Sequence, residues 1–215
     1  MNEDLFEARG PASLEALNAE IAAAPPAVEG GTKAVLGEGP VGAAIALVGE
    51  QPGDQEDLEG RPFVGPAGRL LDKALAEVEI SRDETYVTNA VKHFKYVQRG
   101  KRRLHQKPNT GEVKHYRWWL EQELDLVGPR VVVAMGATAV LALAGKTLPI
   151  GKNRGETRFE NRLGYITVHP SYLLRLPDEA ARRAEWRAFV ADLERVRELA
   201  AASGGEPMPK QKPFA

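Results

Sequence analysis

The chain has 215 residues, of which 43% are hydrophobic and 7% aromatic. That length suits one α/β domain or at most two small ones, and the composition excludes a wholly disordered protein. No apolar run approaches the roughly 18 residues of a membrane-spanning helix, and the first residues lack the profile of a signal peptide. The absence of cysteine excludes disulfides, thiolate-held metals and a cysteine nucleophile, and fits a cytoplasmic protein without membrane contact.

Positive charge is concentrated in one segment of the chain. The 29 basic and 30 acidic side chains give a net charge of −1. Residues 92–107, which we call the basic loop, contain seven Lys or Arg and no acid, so the rest of the chain carries −8 once those seven are taken from the total. An acidic body with one basic loop favours contact with a polyanion, although a solvated loop is the alternative.

Taken in chain order, strand-like and helix-like patterns alternate. Short β-rich runs predict strands at residues 43–48, 85–88, 130–135 and 164–168, and the first and third of these are nearly continuous apolar stretches. Amphipathic patterns predict helices over 70–78, over 113–127 after a capping box at Asn109 and Glu112, after Gly136, and near 178–199. This alternation predicts a single three-layer α/β/α domain with a mostly parallel sheet, over residues 11–200. The ends, 1–10 and 201–215, are predicted to be flexible.

Polar residues follow the predicted strands where each strand ends. In a parallel sheet these carboxyl ends share one edge, where ligands bind. The residues that follow the four strands are Gly49-Glu50-Gln51, Asn89, Gly136-Ala137-Thr138 and His169-Pro170-Ser171. Each has an ordinary alternative, such as helix capping by Asn89 or a solvated Glu50. Their shared edge nevertheless predicts that an acid, two amides and an imidazole meet at one site.

A flipped-out nucleobase fits these residue types. Phe63 lies in a Gly- and Pro-rich segment, which is less typical of a core residue and suits a stacking platform. An Asn89 amide can donate to O4 of uracil and accept from its N3–H, whereas cytosine presents the opposite pattern and leaves polar groups unpaired. An imidazole donor near O2, such as His169, stabilises the negative charge that develops as the glycosidic bond breaks.

Four ordered motifs resemble those of the uracil-DNA glycosylase superfamily, nearest its family-4 enzymes. They are GEQPG (49–53), GRPFVGPAG (60–68), TNAVKHFK (88–95) and HPSYLLR (169–175). Gln51 and the run KRRLH (101–105) resemble more specifically the UdgX branch. The resemblance spans about residues 35–195 and implies an α/β/α sandwich around a four-stranded parallel sheet.

The resemblance also implies roles for individual residues. Uracil would be bound by Gly49, Phe63, Asn89 and His169. Glu50 and Gln51 lie where family members orient water or the sugar, and Glu50 would favour the oxocarbenium-like state. His105 would attack C1′ once uracil leaves, so that the protein stays covalently bound to the abasic site. DNA contacts would come from Lys101, Arg102, Arg103, Ser171 and Arg175.

One departure concerns the cofactor. Family-4 enzymes and their UdgX relatives hold a 4Fe–4S cluster mainly with cysteines, including a CxxC pair near the N-terminus. Here the corresponding stretch, residues 22–29, reads AAAPPAVE, and His93 stands where the family has a later cysteine. We therefore predict no cluster, no other cofactor and no metal, and expect packing around His93, Phe94 and Tyr96 to shape the basic loop.

Four functions are compatible with these residues. The first is a glycosylase captured on DNA through His105, and the second is a conventional glycosylase in which water completes the reaction. The third is a non-catalytic binder of uracil-containing or abasic strands, and the fourth is an enzyme acting on a small nucleotide. For the first, we expect uracil-containing DNA as partner with single strands accepted, a monomer, and a cytoplasmic location associated with a bacterial nucleoid.

Overall fold

Five strands form the central sheet of the structure, a computed structural model that describes residues 10–203. In spatial order they are β2 (Tyr86–Asn89), β1 (Ile45–Gly49), β5 (Val131–Met135), β7 (Arg162–Thr167) and β6 (Gly155–Phe159). The first four are parallel, as predicted, and β6 pairs antiparallel with β7. The expected number of four strands is therefore wrong by one edge strand, because the short, half-exposed β6 has no apolar run.

Helices cover both faces of the sheet. They are α1 (Leu14–Ala23), α2 (Asp54–Glu59), α3 (Pro66–Glu77), α4 (Thr110–Val127), α5 (Ala137–Ala144), α6 (Ile150–Asn153), α7 (Pro170–Arg175) and α8 (Glu179–Ala202). The predicted helices correspond to α3, α4, α5 and α8, and α4 begins at the predicted capping box of Asn109 and Glu112. The short helices α2, α6 and α7 lie in segments where the sequence shows no helical period.

The two central strands carry the core. Every residue of β1 and β5 is buried, since helices lie against both faces of the sheet. On one face Val48 and Val132 pack in a cluster that includes Leu120 of α4 and side chains of α5. On the other face Leu47 packs in a cluster that includes Phe189 of α8 and side chains of α3. The predicted three-layer α/β/α architecture is thereby confirmed.

The basic loop contains a β-hairpin. Strands β3 (Tyr96–Arg99) and β4 (Arg102–His105) pair antiparallel, with Arg99 opposite Arg102 and Tyr96 opposite His105. The turn between them is Gly100-Lys101, and Gly100 has a φ of +60°, which glycine adopts at little cost. His105 is thus the last residue of a strand, at the end of the hairpin nearest the sheet.

The predicted flexible ends lie outside the described residues, apart from Gly10 and residues 201–203. Helix α8 continues to Ala202, so residues 201 and 202 are helical and do not belong to a tail. Within residues 10–203, no helix combines the length and apolar character needed to cross a bilayer.

Candidate active site

A cavity of about 1200 Å³ opens at the carboxyl ends of β1, β2 and β7. The predicted site residues that line it are Glu50, Gln51, Phe63, Asn89, His105, His169, Ser171 and Arg175. The topology explains why they meet, because parallel neighbouring strands end at the same edge of the sheet. The hairpin adds His105 from the side, whereas Lys101, Arg102 and Arg103 do not line the cavity.

Asn89, the last residue of β2, has an unpaired side-chain amide. The residue is only 1% exposed, and neither its Nδ2 nor its Oδ1 has a hydrogen-bond partner among the described residues. Buried amides in folded proteins are nearly always hydrogen-bonded, because an unpaired one loses its water without a replacement. A ligand that offers one acceptor and one donor on the same edge would satisfy this group.

Gly49 leaves the space next to that amide open. A Cβ atom at Gly49 would lie 2.4 Å from Oδ1 of Asn89 and 2.4 Å from Cζ of Phe63, too close for either contact. The last residue of β1 therefore has to be glycine for the amide and the phenyl ring to keep these positions. Gly49 thus borders the site through its missing side chain, and its contact with uracil stays a prediction.

Phe63 is more deeply buried than the sequence suggested. It is 5% exposed and belongs to the apolar cluster that includes Leu71 of α3, so it is a core residue as well as a wall of the cavity. Its φ of +55° lies in the left-handed region, which is unfavourable for a residue other than glycine. Gly68 permits this conformation, because a Cβ there would lie 1.7 Å from the carbonyl oxygen of Phe63.

The carboxylate of Glu50 is held between two side chains. Thr138 Oγ1, at the start of α5, donates to Oε2 at 2.6 Å, and Nε2 of His105 lies 3.3 Å from Oε1. Burial by itself would raise the pKa of Glu50, but the hydrogen bonds from His105 and Thr138 outweigh it and the pKa is lowered overall. Glu50 is therefore a carboxylate at neutral pH, placed to stabilise positive charge in the cavity.

His169 is held as a neutral hydrogen-bond donor. The backbone N–H of Ser171 donates to its Nδ1 at 3.2 Å, and the Ser171 hydroxyl lies 2.8 Å from the same atom. Arg175 in turn donates to that hydroxyl at 2.9 Å. Since Nδ1 accepts, the proton of the neutral ring is on Nε2. Burial lowers the pKa of His169 to about 4, so the ring is neutral at pH 7.

Arg103, which the resemblance assigned to DNA, faces the body of the protein. Its guanidinium donates to Asp54 at 2.5 Å and to Asp57, and lies 5.2 Å from the ring centroid of Tyr96. These contacts attach β4 to α2, and they pair the positive charge of Arg103 with carboxylates of the protein itself. Lys101 and Arg102, in contrast, are exposed. The structure thus gives Arg103 an anchoring contact within the protein, and DNA contact by the three cations stays a prediction.

Gln51 also supports the hairpin. Its Nε2 donates to the carbonyl oxygens of Lys95 at 3.3 Å and Gln106 at 3.0 Å, and its Oε1 accepts from the backbone N–H of Lys95 at 3.1 Å. Lys95 and Gln106 flank the two strands of the hairpin, so one side chain ties both of its ends. Gln51 therefore positions the hairpin through its amide, and its role toward water or the sugar stays a prediction.

Three residues of the site were not singled out from the sequence. Thr138 stood at the end of the third predicted strand, but nothing there indicated a bond to Glu50. Asp54 and Asp57 lie just after the GEQPG motif, in a segment for which the sequence predicted neither a helix nor a role. A search for acids that balance the basic loop would have found them, since opposite charges tend to pair where segments converge.

Comparison with known proteins identifies the family. The family model described as the uracil DNA glycosylase superfamily matches residues 36–194. The chain belongs to this superfamily. It is 35% identical over 181 residues to the type-4 uracil-DNA glycosylase of Thermotoga maritima, covering 80% of this chain and 86% of that protein. The type-4 uracil-DNA glycosylase of Pyrobaculum aerophilum is 34% identical over 168 residues, 74% of this chain and 80% of that protein. The family-4-like resemblance is thereby confirmed.

The residues of this superfamily member do not fit an iron–sulfur cluster. Such clusters are held by thiolates, and the chain has no cysteine. At the position of one expected ligand, His93 is buried with its Nδ1 2.8 Å from the hydroxyl of Tyr116, which accepts from the backbone N–H of Ala27. Within the described part of the chain, no group of three His, Cys, Asp or Glu is arranged to hold a metal ion.

Proposed function

We propose that this superfamily member extrudes a deoxyuridine from DNA, excises the uracil, and is then captured at the abasic site through His105. The observation that carries the proposal is the unpaired amide of Asn89 in the same cavity as the contact between Glu50 and His105. The first supplies a recognition edge for one base. The second places an imidazole beside the carboxylate that stabilises the reacting sugar.

Base recognition follows from the donor and acceptor pattern of the site. The Nδ2 of Asn89 would donate to O4 of uracil, and its Oδ1 would accept from N3–H. Cytosine has a donor where uracil has O4 and an acceptor where uracil has N3–H, so it would leave both atoms of the amide unpaired. Such a mismatch costs about 1–3 kcal/mol per group, which favours uracil. Phe63 supplies the apolar wall against which the base lies.

Cleavage of the glycosidic bond separates charge, and the site has a partner for each charge. The C1′–N1 bond breaks and its electron pair leaves on uracil, where Nε2–H of His169 donates to O2. The sugar becomes oxocarbenium-like, and the carboxylate of Glu50 stabilises it. A neutral His169 suits this role, because it adds a donor without repelling the developing cation.

Capture requires a nucleophile at the sugar when uracil has left. A nitrogen lone pair of His105 forms a bond to C1′, and the resulting imidazolium releases its N–H proton to solvent, to which the 49% exposed side chain is open. Proximity favours the imidazole over water, since a held group reacts at a very high effective concentration. Arg103 and Gln51 support this step by fixing the hairpin on the body of the protein.

The remaining features of the proposal concern partners and cofactors. The exposed Lys101 and Arg102 contact DNA phosphates, single strands are accepted, and the protein acts as a monomer in a nucleoid-associated, cytoplasmic setting. The chemistry uses no iron–sulfur cluster, because His93 and Tyr116 occupy one of its expected ligand positions with a packed hydrogen-bonded pair. Purified protein should then lack absorbance at about 400 nm, and a brown preparation containing iron would contradict this part.

The test is incubation with a uracil-bearing oligonucleotide followed by a denaturing gel. Wild-type protein should give a heat-stable protein–DNA band. The variant His105→Ser should lose that band and release free abasic DNA. His115→Ser is the matched control, because it removes an exposed histidine of α4 that does not line the cavity, and it should keep the band.

Other outcomes distinguish the alternative functions. Free abasic DNA from the wild type without a stable band indicates a conventional glycosylase that uses water. A salt-sensitive gel shift without base release indicates a binder. Activity on free dUMP or dUTP with indifference to DNA indicates a nucleotide enzyme. Each of these three results would overturn capture by His105.

A further inference from the structure

Lys92 is a buried cation within reach of the recognition residue. Its side chain is fully buried, and its Nζ donates to the carbonyl oxygen of Asn89 at 2.9 Å and to the hydroxyl of Thr88 at 2.8 Å. The same Nζ forms an ion pair with Glu123 of α4, and Thr88 also donates to that carboxylate at 3.1 Å. Lys92 therefore joins the end of β2 to the helix that covers it.

Stability alone is a poor explanation for this pair. Removing two charges from water is costly, and well-packed apolar residues of similar volume often stabilise a protein as much or more. The mechanism proposed above makes no use of Lys92 or Glu123. What the pair does provide is a strong donor fixed on the backbone of Asn89.

Asn89 needs such an external constraint. Its side-chain amide must stay unpaired until the base binds, and no described residue forms a hydrogen bond with its Nδ2 or Oδ1. Its orientation is therefore set by its backbone and by the shape around it. The Nζ of Lys92 donates to the carbonyl oxygen of that same residue, and this hydrogen bond constrains the backbone of Asn89.

We propose that Lys92, held by Glu123, is a positioning residue that orients Asn89 for uracil recognition. This inference rests on the proposed function, because it assumes that Asn89 reads the base. It extends the recognition site beyond the cavity to a buried ion pair on the α4 side of the sheet. The consequence is that loss of the pair should impair excision through Asn89 and not through the catalytic groups.

The test combines paired substitutions with Asn89→Ala. Lys92→Met with Glu123→Leu removes both charges together, so that neither is left buried alone. Lys92→Gln with Glu123→Gln is a second pair of substitutions. The two amides can still hydrogen-bond to each other without charge, but the glutamine at position 92 is too short to reach the carbonyl oxygen of Asn89. Each pair is combined with Asn89→Ala, and uracil release is measured under single-turnover conditions. Tyr86→Phe is the control, because it deletes a buried hydroxyl near Glu123 that makes no contact with Asn89.

The expected result is coupling between the two positions. With Asn89 present, each pair should slow uracil release by about 10-fold to 100-fold, as misplacement of a recognition group does. In the Asn89→Ala background the same pair should cost about 2-fold or less, because the group that it positions is gone. Tyr86→Phe should release uracil at the wild-type rate. An equal loss in both backgrounds, or no loss in either, would overturn the proposal.

A second measurement separates this inference from the proposed function. If the wild type releases no uracil, the proposed function fails. The positioning role is then judged from the NMR signals of the Asn89 backbone and side-chain amides in the free protein. These signals should shift and broaden when the pair is replaced, and not in Tyr86→Phe. Unchanged Asn89 signals would overturn the positioning role whatever the activity.

Discussion

Arg103 of β4 forms an ion pair with Asp57 of α2, whose side chain is only 2% exposed. Because alternate residues of a strand point to the same face, Arg103 and His105 face the body of the protein together. The anchor of Arg103 on α2 therefore helps to fix the position of His105 beside Glu50. A residue outside the cavity thus takes part in placing the proposed nucleophile.

Loss of this anchor should uncouple capture from excision. Arg103→Met frees the hairpin while leaving Glu50, Asn89 and His169 in place, so we expect the ratio of covalent adduct to free abasic DNA to fall about 10-fold or more. The ratio is read from a denaturing gel, with circular dichroism to establish that the variant is folded. Arg102→Met, one position away and exposed, should keep the ratio while weakening DNA binding and reducing its dependence on salt. An unchanged ratio in Arg103→Met would refute the anchoring role.

A methyl group at Gly49 should block the recognition site. Gly49→Ala forces Asn89 and Phe63 apart, since the new Cβ lies 2.4 Å from both, and we expect uracil release to slow by about 100-fold. Gly151→Ala is the matched control, because Gly151 lines the same cavity but has open space around its Cβ position. Both variants are compared in single-turnover excision. Equal rates for the two would show that Gly49 does not limit the pocket.

The lowered pKa of His169 should make stability depend on pH. Its pKa is about 4 in the folded protein, below the ordinary value of about 6.5. As the pH falls through this window the unfolded chain binds the proton first, so the free energy of unfolding should be full above about pH 6.5 and decrease toward pH 4. Denaturant unfolding at several pH values measures this slope.

The variant His169→Asn should lose part of that slope. His93 should keep the remainder, because burial lowers the pKa of His93 as well. Because His169 stays neutral well below pH 6.5, its protonation should not slow uracil release near that pH. Identical pH profiles of unfolding for the wild type and His169→Asn would contradict the assigned neutral state.

The sequence predicted the fold well where patterns are regular. Strands β1 and β5 were readable because burial on both faces demands nearly continuous apolar runs, and β2 and β7 because their segments are rich in β-branched and aromatic residues. Helix α4 was readable because its capping box and apolar stripe agree. The edge strand β6 was missed, since one half-exposed antiparallel strand needs neither pattern. The hairpin was expected only as a basic loop, because its strands are mostly exposed and its order comes from contacts of Arg103 and Gln51 with distant segments.

The site was predictable as a set of residues and less so as a set of contacts. Strand ends brought Glu50, Asn89 and His169 to one edge, as topology requires. No local signal indicated that Phe63 adopts a positive φ, that Arg103 turns inward, or that Lys92 reaches back to Asn89. These arrangements depend on which distant side chains meet, and spacing along the chain does not encode that.

The unpaired amide of Asn89 has a thermodynamic consequence for the free protein. Folding removes this amide from water without a hydrogen-bond partner among the described residues, which lowers the stability of the free protein. Under the proposed function, binding of uracil would supply the missing hydrogen bonds. Asn89→Leu, which is similar in size and apolar, should therefore unfold at a higher denaturant concentration than the wild type, with a gain of about 1–2 kcal/mol, while losing excision. A destabilised Asn89→Leu would mean that the amide has a partner in solution. The amide that selects uracil therefore lowers the stability of the free protein. Inhibitors that present the same donor and acceptor as the uracil edge should raise its melting temperature.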